Sequence, residues 1–129
     1  MNAYHGSHRP DLDGPPLHDL EKAFPDLYAR PDLYRGHSDS RELDDQALAV
    51  ISSARGTPEA LVTIWRAVPP GVETINAGDW VSITEAYARQ HAIQDNDPAN
   101  DWPVISTRVP ARTLRTEGNS IHEYGYNPI

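Results

Sequence analysis

Short apolar stretches alternate with polar connections along the second half of the chain. Four of these stretches are rich in β-branched and aromatic residues and alternate with a period of two, a pattern typical of strands with one buried face. They cover Leu61–Val68, Trp80–Thr84, Val104–Val109 and Ser120–Tyr124. We therefore predict a sheet of several short strands in the second half of the chain.

A helical period marks two other segments. The first, Asp39–Arg55, has Asp39 as its capping residue, a glutamate three residues further on as the capping-box partner, and Gly56 after its end. The second, Glu85–Ala92, is capped by Thr84. The apolar face of the first helix, which we expect to pack on the sheet, is formed by Leu43, Ala47, Val50, Ile51 and Ala54. Helices and strands together predict an α+β domain.

The N-terminal segment, residues 1–37, contains five prolines and predicts irregular structure, because proline interrupts helices and strands. A short helical turn is expected around residues 17–24. We interpret the segment as a flap that packs its tyrosine and leucine side chains on a core formed by residues 38–129. The length of 129 residues suits a single domain.

The charge balance narrows the possible partners. Nineteen acidic residues against eleven Lys and Arg give a net charge of -8. This argues against binding the phosphate backbone of nucleic acids, which depends on basic side chains, and it suits a basic partner protein. The absence of cysteine excludes disulfides, thiolate metal sites and a cysteine nucleophile. With neither a signal peptide nor a membrane-spanning apolar run in the sequence, we expect a cytoplasmic protein.

Four histidines, His5, His8, His18 and His37, lie among several aspartates near the N-terminus. Imidazole and carboxylate together bind zinc, so a metal site has to be considered. Their spacing matches no known ligand pattern. We therefore predict no metal site.

Three of the predicted strands carry one polar residue where a core strand would have an apolar one. These residues are Arg66, Ser82 and Glu123. Arg66 shares its face with Val62 and Ile64, and burying a guanidinium is costly unless a carboxylate or an anionic ligand meets it. We therefore expect Arg66 to form a structural ion pair with Glu123, to extend to solvent at the sheet edge, or to bind an anionic ligand.

The sequence around these residues resembles a group of phage and bacterial proteins related to the ADP-ribosyltransferases. The similar stretches are residues 64–69, 75–82 and 118–126, together with Tyr87 and His91. The resemblance covers about residues 60–128. In the Arg-Ser-Glu class of this superfamily, an arginine lies on the first core strand, a Ser-Thr-Ser element on the second and a glutamate near the last. Arg66, Ser82 and Glu123 follow that order.

The resemblance implies a split β-sheet core and an NAD-dependent ADP-ribosyltransferase. Glu123 would stabilise the oxocarbenium character that develops when the nicotinamide–ribose bond breaks. Arg66 would hold the ribose and diphosphate, and Ser82 with Thr84 would orient Glu123 and the nicotinamide ribose. The residues that could stack on the nicotinamide ring are Trp80, Tyr87, Tyr124 and Tyr126.

Several functions stay open. Ile121 stands where members that modify arginine carry a second glutamate, so the resemblance disfavours arginine as the acceptor. A competing His-Tyr-Glu class would use His5 instead. The chain could transfer ADP-ribose to a macromolecule, hydrolyse NAD, or bind a nucleotide without turnover. The alternative from another class is a non-catalytic acidic phage-type protein that binds and inhibits a host protein.

Overall fold

The computed structural model describes residues 12–36 and 40–128. Within these ranges the chain forms two α-helices and five β-strands. The helices are α1 (Ser40–Ala54) and α2 (Glu85–Ala92). The strands are β1 (Leu61–Ala67), β2 (Trp80–Ser82), β3 (Val104–Pro110), β4 (Leu114–Arg115) and β5 (Glu123–Tyr126).

The five strands form an antiparallel sheet in the order β3-β1-β2-β5-β4. β1 pairs with β3 along its whole length, from Leu61 opposite Pro110 to Ala67 opposite Val104. The short strand β2 lies between β1 and β5, so it joins the pair β3-β1 on one side to the pair β5-β4 on the other. The predicted α+β class is confirmed, and the split core implied by the resemblance stays a prediction.

Both predicted helices are present. The bounds of α2 agree with the prediction, and the hydroxyl of Thr84 accepts a hydrogen bond from the backbone N–H of Tyr87 at 3.4 Å, as an N-cap residue does. α1 covers nearly the predicted range and buries Ala47, Ile51 and Ala54. The expected cap of α1, Asp39, lies outside the described residues.

Two predicted strand boundaries are wrong. β2 ends at Ser82 rather than at Thr84, because the Ser82 hydroxyl forms a turn with the backbone of Thr84. The last strand covers Glu123–Tyr126 rather than residues 120–124. The chain turns before it, where the Ser120 hydroxyl accepts a hydrogen bond from the backbone N–H of His122 at 3.0 Å. Pairing with β2 and β4 then extends the strand to Tyr126.

The N-terminal segment contributes to the main hydrophobic core. The segment from residue 17 to 24 forms turns rather than a helix, yet its apolar side chains are buried. Leu17 and Leu20 are completely buried and pack in one cluster with Ile51 of α1 and Ile64 of β1. Leu114 of β4 is also completely buried.

Neither α-helix of the described ranges is long and apolar enough to cross a bilayer. α1 has 15 residues and α2 has 8, whereas a spanning helix needs about 20 apolar residues. The polar faces of both helices are exposed.

Candidate functional site

A cavity of about 320 Å³ lies between β1, β2, α2 and the start of β5. This volume is at the lower end of the range of about 300–1,000 Å³ that is typical of small-molecule sites. The three tryptophans of the chain all line it. The main side chains around it are Trp65, Arg66, Trp80, Ser82, Tyr87, His91, Trp102 and Glu123.

Three of the lining residues are aligned across the sheet. Trp65 of β1 lies opposite Ser82 of β2, and Ser82 lies opposite Glu123 of β5. Directly opposed residues of antiparallel strands have their side chains on the same face. The pairing therefore places Ser82 and Glu123 on the face of Trp65. Alternation along β1 places Arg66 on the other face, with Ile64.

Arg66 nevertheless lines the same cavity, next to the position at which the pairing of β1 with β2 ends. The two strands pair at a single position, Trp65 with Ser82, so the carbonyl of Trp80 lies beyond their ladder. The Arg66 side chain, rather than a backbone N–H of β1, donates a hydrogen bond to this carbonyl. The distance from Nη1 to the Trp80 oxygen is 2.6 Å. Its Nε lies 3.6 Å from Oδ2 of Asp79. The buried guanidinium thus meets a carboxylate that the sequence analysis did not consider.

Glu123 is the carboxylate of this cavity, and its side chain is 34% exposed. The Tyr87 hydroxyl donates to Glu123 Oε1 at 2.8 Å, and Nε2 of His91 lies 3.3 Å from the same oxygen. The contact with His91, helped by the hydrogen bond from Tyr87, lowers the pKa of Glu123 against the opposing effect of burial. Glu123 is therefore ionised at neutral pH.

Tyr87 lies between two imidazole rings. Its ring centre is 4.6 Å from that of His91 and 4.7 Å from that of His122, and the His122 ring is nearly parallel to it. Burial, and then the contact with Glu123, raise the pKa of the Tyr87 hydroxyl, which keeps it protonated and able to donate. Asp44 of α1 fixes His122 in turn, with Oδ1 2.6 Å from Nε2. These contacts connect α1 to the wall of the cavity.

Five of the residues selected from the sequence meet at this cavity: Arg66, Trp80, Ser82, Tyr87 and Glu123. The Ser82 hydroxyl is engaged locally, since it donates to the carbonyl of Thr84 at 2.8 Å and accepts from the N–H of Thr84 at 3.1 Å. Its position beside Glu123 is therefore fixed, and its proton is already bonded to the backbone.

Thr84 and Tyr124, also selected as ligand-binding residues, do not line the cavity. Thr84 is buried and caps α2. Tyr124 is completely buried, its hydroxyl donates to the carbonyl of Ile121 at 2.9 Å, and burial raises its pKa. Tyr126 packs against the hydrophobic core. Among the tyrosines considered for stacking, Tyr87 is thus the one placed at the cavity.

Four residues of the site were missed or left without a role by the sequence analysis. Trp65 and Trp102 form part of the cavity wall, Asp79 pairs with Arg66, and His91 contacts Glu123. A signal for His91 exists in the sequence, because it lies four residues after Tyr87 on α2 and so shares its face. Nothing local marks Asp79, which lies in a turn.

Of the four histidines weighed as metal ligands, His18 is the one that the described residues include. His5, His8 and His37 lie outside the described residues, and so does the alternative catalytic role of His5. His18 is described and is partly buried. A search of the described residues finds no cluster of three or more side chains suited to hold a metal ion.

Comparisons with known proteins add no relative. No family model matches the chain, and neither the curated proteins nor the solved structures give a significant match. Function therefore has to be inferred from the chemistry of the cavity.

Proposed function

We propose that the chain binds NAD in this cavity and cleaves the nicotinamide–ribose bond, passing ADP-ribose to a macromolecular acceptor or to water. The observation that carries the proposal is the setting of Glu123: a carboxylate with a lowered pKa, partly exposed to a cavity whose other walls are aromatic and cationic. The order of Arg66, Ser82 and Glu123 along the chain, as in the Arg-Ser-Glu class, supports the same conclusion.

Glu123 supplies the electrostatic part of the chemistry. Departure of nicotinamide leaves positive charge on the ribose, and a fixed carboxylate close to that carbon stabilises the charge as it develops. Oε1 is held by Tyr87 and His91, whereas Oε2 forms no hydrogen bond or ion pair with the residues that the structure describes. Oε2 is therefore the oxygen that meets the ribose.

The three tryptophans supply the surface for the leaving group. Trp65, Trp80 and Trp102 all line the cavity. The nicotinamide of NAD is a planar cationic ring, and indole faces attract such a ring by stacking and by cation–π attraction. A cavity of about 320 Å³ suits the nicotinamide and its ribose, with the remainder of NAD outside.

Arg66 and Ser82 shape the site around the ligand. The Arg66 guanidinium lies at the cavity wall, where Asp79 offsets part of its charge, and the remaining positive charge favours a ligand whose diphosphate lies near the mouth of the cavity. The guanidinium also connects β1 to the start of β2 through the Trp80 carbonyl and Asp79. Ser82, whose side chain is small, leaves room beside Glu123.

The decisive experiment measures NAD binding and nicotinamide release with the purified full chain. Binding is followed by intrinsic fluorescence, because every tryptophan of the chain lines the cavity. Release is measured with NAD alone and with a bacterial lysate as the source of acceptors. Glu123→Gln should lower the release rate on the order of a hundredfold or more, since the substitution removes the charge that stabilises the transition state.

A matched control is Glu59→Gln. Glu59 is exposed, pairs with Arg112 and does not line the cavity, so its loss should leave both signals unchanged. Saturable quenching by NAD without release would reduce the function to nucleotide binding. Absence of both quenching and release, or full release by Glu123→Gln, would refute the proposal.

A further inference from the structure

His91 of α2 contacts Glu123, but the chemistry described above gives it no separate role in turnover. Its two ring nitrogens both face oxygen acceptors: Nε2 lies 3.3 Å from Glu123 Oε1, and Nδ1 lies 3.2 Å from the backbone carbonyl of Tyr87. A neutral imidazole has a single N–H and serves only one of these acceptors, whereas the imidazolium serves both. The geometry therefore favours the charged form of His91.

The contacts that α2 makes with Glu123 reach only one of its two carboxylate oxygens. Tyr87 and His91, one helical turn apart on α2, both bind Oε1. Both contacts therefore reach the same oxygen of the carboxylate and leave Oε2 without a partner among the described residues. Glu123 is thereby held from the helix, and Ser82, whose proton is bonded to the backbone of Thr84, is not needed to hold it.

We propose that His91 is a positioning residue, which as imidazolium holds Glu123 through Oε1 and so directs Oε2 towards the ligand. The proposal rests on the proposed function for its effect on turnover, and on geometry alone for the contact itself. His91 acts through Glu123 and is not assigned a contact with NAD.

The charged groups around His91 are few in the described residues. Glu123 faces it from β5, and Arg66 of β1 lines the same cavity. On α2 itself, Glu85 and Arg89 pair with each other at 2.7 Å. The contact with Glu123 raises the pKa of His91 against partial burial. His91 therefore stays protonated above its ordinary pKa and loses its charge as the pH rises through the raised value.

The contact is tested without turnover by following the ring resonances of His91 in an NMR titration of the full chain. In the wild type the midpoint should lie above the ordinary histidine value, and Glu123→Gln should move it down. Tyr87→Phe, which removes only the hydroxyl, should keep the raised midpoint. An identical midpoint in the wild type and Glu123→Gln would overturn the proposal.

The positioning role is tested by kinetics of nicotinamide release across pH. His91→Gln should lower kcat about tenfold or more with little change in KM, because a misplaced carboxylate loses transition-state stabilisation rather than ground-state binding. The fall in wild-type kcat as His91 deprotonates should be absent from the variant. Arg89→Gln, on the same helix, should match the wild type.

The proposed function and the positioning role of His91 can be refuted independently of each other. Wild-type kcat and pH profile in His91→Gln would overturn the positioning role while nicotinamide release still stands. If the wild type releases no nicotinamide, the proposed function fails, and the NMR midpoints alone decide whether His91 holds Glu123: a midpoint lowered in Glu123→Gln supports the contact and an unchanged one refutes it.

Discussion

Arg66 shows how a charged side chain is accommodated inside a small domain. The residue is 7% exposed, and a guanidinium in that setting requires partners for its charge and its N–H groups. Asp79 provides the negative charge. The Trp80 carbonyl provides a hydrogen-bond acceptor that lies outside the recorded pairing of β1 with β2. Arg66 thereby connects β1 to the residues at the start of β2, beside the cavity that it lines.

Removing the charge of Asp79 should therefore be costly. Asp79→Asn keeps the shape and an acceptor for the N–H of Asn76, but it removes the negative charge that lies 3.6 Å from the buried guanidinium. The free energy of unfolding should fall by about 3 kcal/mol, the lower end expected when one member of a buried pair is lost. Urea denaturation followed by circular dichroism measures this change.

The control for this prediction is the Arg35–Asp45 pair, whose side chains are 33% and 47% exposed. Asp45→Asn should change the free energy of unfolding by less than about 1 kcal/mol, because solvent screens an exposed pair. Equal losses in the two variants would mean that burial of Arg66 does not control the energetics of its pair.

At the scale of elements, α2 carries both residues that hold Glu123. Its N-terminus depends on Thr84, whose hydroxyl accepts from the N–H of Tyr87. Thr84→Ala should destabilise the protein by about 1 kcal/mol, the usual cost of losing an N-cap oxygen, whereas Thr84→Ser should retain most of the stability. Thermal unfolding of the two variants measures the difference.

This substitution also distinguishes a cap from a ligand-binding residue. NAD affinity should be unchanged in Thr84→Ser and altered in Thr84→Ala no more than the loss of helix stability requires, because Thr84 does not line the cavity. A large loss of affinity in Thr84→Ala with unchanged stability would assign Thr84 a ligand contact instead.

Elements were predictable from the sequence where local signals define their ends. The N-cap of α2, Thr84, directly precedes the helix, so the signal for the start of the helix is local in the sequence. The observed bounds of α2 agree with the prediction. β5 was misplaced because its extent depends on pairing: Gly125 pairs with Trp80 of β2 and with Arg115 of β4. Neither partner is near in sequence, so alternation alone could not set the boundary.

At the scale of the whole molecule, the composition of the cavity was only partly predictable. Arg66, Ser82 and Glu123 were found because each interrupts a pattern of apolar residues on its own strand. The faces on which they lie depend on the register between strands, which alternation within one strand does not specify. The single pairing of β1 with β2, beside Arg66, is likewise a property of the assembled sheet.

The last prediction concerns the N-terminal segment. It tests whether the stability of the hydrophobic core depends on this segment as well as on the sheet and the helices. Leu20 is completely buried, and the backbone beside it connects to the main body: the N–H of Leu17 donates to the carbonyl of Leu114 at 2.8 Å. Leu20→Ala should lower the free energy of unfolding by about 2–5 kcal/mol through lost burial and the cavity left behind. That is a large part of the stability of about 5–15 kcal/mol usual for a domain.

Leu33 is the matched control, a leucine of the same segment that is 57% exposed. Leu33→Ala should change the free energy of unfolding by less than about 0.5 kcal/mol, as at most surface positions. Denaturant unfolding of both variants at one pH separates the two cases. A similar small effect in both would mean that the segment is a dispensable cover. The predicted difference would instead mean that residues 17–27 build the surface on which α1 and β1 pack, and so support the position of Arg66 at the end of that strand.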